Sequence, residues 1–225
     1  MLRIDILTVV PELLDSPLSH SIPGRAVKKG LAEIHVHNLR DYGLGPRQTV
    51  DDYSYGGDAG MVMMVEPVFR CIEALKAERR YDEVIYLAPD GEILDQGIAN
   101  ELSLKENLML LCGHYKGIDE RIREHLVTRE ISVGDFVVSG GEIPAALLAD
   151  SVIRLLPGVL TDETSALSDS FQEGLVSPPV YTRPAEFNGW KVPEVLLSGN
   201  PKLIHAWQDE KAVERTRERR PKLLE

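Results

Sequence analysis

Cysteine is nearly absent. Cys71 and Cys112 are the only two in 225 residues, far apart and each in apolar surroundings. That excludes a disulfide framework and reads as two buried thiols in a reducing compartment. No Cys/His group has zinc-ligand spacing. His35 and His37 alternate as on one face of a strand and are read as solvated rather than metal-binding. No apolar run approaches the roughly 18 residues of a membrane span. The opening Met1-Leu2-Arg3-Ile4-Asp5 lacks the basic region, long apolar stretch and small-residue cleavage site of a secretory signal, so a cytoplasmic protein is expected. No Gly-x-Gly-x-x-Gly follows the first strand, as a dinucleotide fold would want. No internal repeat or low-complexity tract is present. Positive charge is also short, for the formal net charge is −11. Taken alone, that argues against nucleic acid, because phosphate contacts need Lys and Arg.

What is present is an ordinary globular composition, 43% hydrophobic and 27% charged, with enough apolar residues for a sizeable core. Charge is unevenly spread. From Lys211 to Lys222 stand six basic residues (Lys211, Arg215, Arg217, Arg219, Arg220, Lys222) against Glu214 and Glu218, a local balance of +4. Unaided, such a run reads as a solvated helix face.

Strand and helix patterns alternate. Leu2 to Val9 reads as a buried strand ended by Pro11, followed by a helix near Leu13 to Ser19. Gly24 to Gly30 reads as a short basic helix capped by glycine, and Leu31 to Leu39 as a second strand. Arg40 to Gly60 has no hydrophobic periodicity, and loops of that length are usually functional or mobile. Met61 to Val65 restores an apolar run. A helix from Val68 to Arg80 follows Pro67. Glu83 to Leu87 reads as a strand ended by the turn signal Ala88-Pro89-Asp90-Gly91, and Gln96 to Leu104 as a helix. Leu108 to Cys112 reads as a buried strand running into Gly113-His114-Tyr115-Lys116-Gly117. The β-branched run up to Val138 feeds Ser139-Gly140-Gly141, and a strongly apolar helix follows from Ala145 to Leu156. This order predicts an α/β fold with a mostly parallel sheet. Two glycine-rich turns at strand ends suggest a pocket built from backbone, since no Cβ intervenes there. After Leu160 the chain turns polar, as a linker would. Pro178, Pro179 and Pro184 then punctuate an extended passage, and a helical segment closes the chain from about Pro201 to Leu224.

Several segments in register carry a family resemblance. They are Leu111-Cys112-Gly113-His114-Tyr115-Lys116-Gly117-Ile118-Asp119-Glu120-Arg121, Ile131 through Ala145 with its Ser139-Gly140-Gly141-Glu142, and Arg154-Leu155-Leu156-Pro157-Gly158. Downstream stand Asp169-Ser170-Phe171, Tyr181-Thr182-Arg183-Pro184 and Val192-Pro193-Glu194 through Asn200. In the N-terminal half, Gly24-Arg25-Ala26-Val27, Thr49-Val50-Asp51-Asp52 and Gly60-Met61-Val62-Met63-Met64 add to them. Together they resemble the bacterial tRNA (guanine-N1)-methyltransferases, the TrmD family, over nearly the whole chain.

The resemblance implies a SPOUT-type parallel sheet with a deep C-terminal trefoil knot, followed by a small helical C-terminal domain. Base rates alone argue against a knot. The implied division is a SPOUT methyltransferase domain over residues 1–160, a flexible linker over 161–174 and a mostly helical tRNA-binding domain over 175–225. It implies a homodimer that binds S-adenosyl-L-methionine in the knot. The expected reaction is methylation of the guanosine just 3′ of the anticodon in tRNA, with no role for DNA or a membrane. Asp169 is expected as the general base and Arg154 as the cation facing guanine O6. Taken alone, Asp169 between two serines reads as a turn or N-cap, and Arg154 as a helix-face charge. The cofactor is expected among Tyr86, Leu87, Pro89, Gly113, Tyr115, Gly117, Val133, Gly134, Phe136, Val138, Gly140, Gly141 and Pro144. Arg25, Lys28, Lys29, Arg215 and Arg219 are expected on phosphates. The loop from Tyr55 to Gly60 is the candidate for holding a flipped base. The family is linked to a magnesium (Mg2+) requirement, and the sequence offers no recognisable metal cage.

Three positions depart from the family pattern. Asp58 stands where a further glycine is common, Lys116 where glutamate is, and Ser177 where aspartate is. The two acids are tied in the family to the cofactor's amino group, so an altered grip on the methionine end is expected. Two other readings stay open: a SPOUT enzyme acting on another RNA site, and a non-catalytic RNA-binding module.

Overall fold

The computed structural model describes residues 1–57, 59–161 and 169–225. The chain divides into two compact units, Met1–Glu163 and Thr164–Glu225.

The first unit is an α/β layer structure. Its sheet has the order β2-β1-β6-β5-β7 and every pairing in it is parallel. The strands are β1 (Leu2–Thr8), β2 (Ala32–Asn38), β5 (Glu83–Ile93), β6 (Asn107–Cys112) and β7 (Arg129–Ser132). β6 is a near-continuous apolar run because helices cover both sheet faces, and β1 is as buried although Arg3, Asp5 and Thr8 interrupt its apolar residues. Ile4, Ile6, Leu108 and Leu110 pack on one side, with helices α1 (Asp15–Ser19), α2 (Ser21–Lys28), α4 (Gln96–Ser103) and α6 (Glu142–Ile153). Leu7, Met109, Leu111 and Val84 pack on the other, with α3 (Val65–Glu78) and α5 (Glu120–His125). The buried positions of α3 are Pro67, Val68, Cys71, Ile72 and Leu75, one stripe of a helix. Asp95 caps α4 by accepting from the Ile98 N–H at 2.9 Å. Both cysteines are buried free thiols, and burial pushes the Cys71 thiol up to about 12.

Several expectations change. Arg40 to Gly60 is not featureless: it holds a 3-10 turn at Leu39–Tyr42 and strand β3 (Asp51–Tyr53), which pairs antiparallel with β4 (Met61–Met63). The signal Ala88-Pro89-Asp90-Gly91 does not end its strand. Leu87 and Glu92 both face Ile131, so the four residues between bulge out while β5 continues to Ile93. Gly91 permits this, since a Cβ there would lie 2.6 Å from the Glu130 carbonyl carbon. The apolar run after Ser132 is not strand. β7 is an edge strand, the chain leaves it at Gly134 (φ 141°), and Phe136, Val137 and Val138 are exposed. His37 is not simply solvated, because its Nε2 lies 2.7 Å from Oδ1 of the fully buried Asp5.

In the second unit, β8 (Glu186–Phe187) and β9 (Trp190–Lys191) form a hairpin. Its two turn residues, Asn188 (φ 53°) and Gly189 (φ 81°), are the pair that a tight hairpin favours. Helix α7 spans Glu194–Leu197 and helix α8 spans Pro201–Arg219. Asn200 caps α8 and Pro201 occupies its first turn.

Candidate active site

A cleft of about 660 Å³, counting the part open to solvent, lies at the bulge of β5 and the carboxyl ends of β6 and β7. That is where open parallel sheets place their ligands. Its walls come from residues 86–89, 113–117, 131–134 and 136–141, with Pro144. All thirteen residues expected around a cofactor line it: Tyr86, Leu87, Pro89, Gly113, Tyr115, Gly117, Val133, Gly134, Phe136, Val138, Gly140, Gly141 and Pro144.

The paired glycines do more for the chain itself than expected. The Gly141 N–H donates to the Gly113 carbonyl at 2.8 Å, so the turn after β6 and the loop after β7 are locked together. A Cβ on Gly141 would lie 2.7 Å from the Cys112 Cα and 2.8 Å from the Gly113 nitrogen. A Cβ on Gly140 would lie 2.3 Å from Glu142 Oε2 and 2.7 Å from His114 Nδ1. Gly117 differs: its φ is 143° and, among the described residues, nothing stands within 4 Å of its missing Cβ, so they leave that space to the cleft.

Sequence reasoning missed a buried polar cluster behind the glycines. Glu142, on the first turn of α6, is buried and accepts from Thr8 Oγ1 at 2.6 Å. Its position suits a carboxylate at a helix N-terminus. His114 lines the cleft, and its Nδ1 stands 3.8 Å from Glu142 Oε2. The available signal was an acid opening a helix that is otherwise apolar up to Asp150. Arg123 was also missed. It bonds to Glu130 and Asp90 and stands 5.6 Å from the Tyr86 ring centroid, bracing that wall. Burial pushes the Tyr86 phenol up to about 12 and also raises Tyr115.

The β3–β4 hairpin docks on the same turn. The Lys116 N–H donates to Met61 O, the Met63 N–H to Gly117 O and the Asp119 N–H to Met63 O, each at 3.0 Å. Gly60 therefore sits beside cleft-lining Lys116, whose Cγ would be 3.0 Å from a Cβ on Gly60. Tyr55 is fully exposed. Asp58 lies outside the described residues.

The family model described as tRNA (Guanine-1)-methyltransferase TrmD matches residues 2–225. The chain belongs to this family. Among its relatives, a "tRNA (guanine-N(1)-)-methyltransferase" of Bacteroides fragilis is 61% identical, with all of both chains covered. Proteins of the same name from Flavobacterium johnsoniae and Cytophaga hutchinsonii are 59% and 61% identical, with 100% of this chain and 99% and 95% of theirs covered.

In this TrmD-family chain the expected catalytic pair is split between the units. Arg154 is the C-cap of α6. Asp169 opens the described part of the second unit, and residues 162–168 lie outside the described residues. Ser177 is in the second unit too, bonded to Ser170. Of the expected phosphate contacts, Arg25, Lys28 and Arg219 are exposed. Lys29 is held by the Gly158 carbonyl at 3.1 Å. Arg215 is half-buried, with an Nε that has no hydrogen-bond partner among the described residues. No group of three or more His, Cys, Asp or Glu that could hold a metal occurs among the described residues. No helix among them is long and apolar enough to cross a membrane.

Proposed function

We propose that this chain methylates N1 of the guanosine immediately 3′ of the anticodon in tRNA, with S-adenosyl-L-methionine as donor. One observation carries the reading. In a member of the tRNA (guanine-1)-methyltransferase family, the two glycine turns of its motifs meet in one cleft. The open space at Gly117, the backbone walls and the flanking Tyr86, Tyr115 and Phe136 fit a bent ligand bearing a nucleoside. When bound, S-adenosyl-L-methionine supplies the methyl group. The loop crossing locked by Gly141 and Gly113 would be the site of the trefoil knot.

The protein's own task is at the guanine. N1 carries a proton at neutral pH and is a poor nucleophile until that proton leaves. Asp169 takes the proton, and Arg154 stabilises the negative charge that builds on O6. Arg25, Lys28 and Arg219 hold phosphates, which position the RNA without reading its sequence. The Tyr55–Gly60 loop, whose Gly60 sits beside cleft-lining Lys116, holds the flipped base. The second unit would serve as the tRNA-binding domain.

The reading includes a homodimer. Helix α6 is apolar on nearly every side, and Ile143 (56% exposed) and Leu147 (49%) share an outer face one turn apart. Phe136, Val137 and Val138 are exposed just before it. Exposed apolar residues grouped in this way support the dimer reading. Leu147→Glu is expected to give monomers in sedimentation velocity, where the parent chain sediments as a dimer.

Gly141→Ala is expected to weaken binding of S-adenosylhomocysteine by calorimetry. Pressing a Cβ into the Cys112–Gly113 backbone costs about 1–3 kcal/mol, and where that strain falls on the bound form it is roughly 5- to 150-fold in Kd. Unchanged affinity would move the cofactor elsewhere.

The deciding assay is transfer of labelled methyl to an unmodified tRNA transcript with guanosines at the last anticodon position and just after it. A transcript with the target guanosine replaced by adenosine is the control. Label on the first alone, recovered as 1-methylguanosine, supports the proposal. Label on neither, with the donor bound, refutes it.

A further inference from the structure

Resting on the reading of Asp169 as the base, we propose that Thr216 of helix α8 is a positioning residue that fixes the Asp169 segment for proton removal. From Asp169 to Ser177 the chain folds back on itself. The Phe171 N–H donates to Leu175 O at 2.7 Å, and the Gly174 N–H to Phe171 O at 3.3 Å. Ser170 Oγ accepts the Ser177 N–H and donates to the Ser177 hydroxyl, both at 3.0 Å. Phe171 has a φ of 76°, which a bulky residue keeps only where its surroundings enforce it.

Helix α8 supplies that enforcement. Thr216 is fully buried, and its hydroxyl uses both its roles. It accepts the Val176 N–H at 2.9 Å and donates to the Ala212 carbonyl at 2.7 Å. One turn on, the Arg220 guanidinium stands 5.4 Å from the Phe171 ring centroid. The closed turn is thus held at Phe171 and at Val176, on either side of its Gly174 corner. A small error in placing a base is costly, because proton transfer tolerates little displacement.

Thr216→Val keeps the shape and removes both hydrogen bonds. It is expected to lower the single-turnover methylation rate roughly tenfold to hundredfold, with tRNA and S-adenosylhomocysteine affinities unchanged. Thr216→Ser, which keeps the hydroxyl, is expected to restore the rate. In an Asp169→Ala background, Thr216→Val is expected to add no further loss. If Thr216→Val does not fold, Arg220→Gln tests the second anchor by the same readings. A wild-type rate in Thr216→Val (or in Arg220→Gln, where that variant stands in) overturns the proposal, as does a loss that persists without Asp169. An active Asp169→Ala overturns the base assignment itself, and this proposal with it.

Discussion

Asp169→Ala is expected to lower the methylation rate roughly 10²- to 10⁴-fold, the range that a positioned base contributes. Donor and tRNA affinities should stay as in the parent chain. The argument is chemical before it is structural. With a proton on N1, the guanine presents no lone pair in the line of attack, and water is a weak base at neutral pH. A carboxylate held close removes the proton as the new bond forms. The loss should therefore appear in single-turnover rates and not in equilibrium binding. It should also shrink as pH rises and the guanine sheds its proton unaided. An alanine variant with the parent rate at neutral pH would take Asp169 out of the mechanism.

The second large effect is on stability. Asp5→Ala is expected to cost about 3–5 kcal/mol, the range for removing one member of a buried ion pair. Asp5 is fully buried in β1 and is held by three partners. Arg3 binds both its oxygens at 2.7 and 2.9 Å, His37 Nε2 lies at 2.7 Å and the Tyr81 hydroxyl at 2.9 Å. Burial alone would raise its pKa. The hydrogen bonds from His37, Arg3 and Tyr81 outweigh that and hold it well below the usual carboxylate range. Because the folded-state pKa is depressed, the stabilisation is fully present above the unfolded value of about 3.9. It is lost as pH falls from there through the folded value. Asp5→Ala leaves Arg3, a poorly exposed cation, without its main partner. Urea titrations at neutral pH measure the cost, and repeats toward pH 3 should show the parent chain losing stability that the variant no longer has to lose. A cost below about 1 kcal/mol, the scale of exposed pairs, would mean that water replaces the carboxylate.

The layered fold was legible because its strands obey a simple rule. Strands buried on both faces become apolar runs, and Asn107–Cys112 reads that way at once, whereas Leu2–Thr8 is buried despite Arg3 and Asp5. The same rule misleads for Val133–Val138, where apolar residues line a cleft instead of filling a sheet. At Ala88–Gly91 the turn signal was real, but β7 pairs on both sides of the bulge, a partnership that local sequence does not record. The hairpin at Asn188-Gly189 went unread, although that pair is a turn signal, because the strands on either side are only two residues long. The cleft lining followed from motif likeness, whereas the reason for Gly141 did not, since its neighbour is Cys112, far off in sequence. Long-range side-chain bonds such as Thr8 to Glu142 and Thr216 to Val176 leave no periodic trace.

The glycine crossing has a practical consequence for inhibition. A wall made of main chain offers the same atoms whatever side chain a codon specifies. A Cβ on Gly141 would strike the backbone, and one on Gly140 would have to displace the Glu142 and His114 side chains. A compound that takes its affinity from those turns would leave few single-residue routes to resistance. Escape would have to come from side chains at the mouth, such as Phe136, Val137 and Lys116, or from making more of the enzyme.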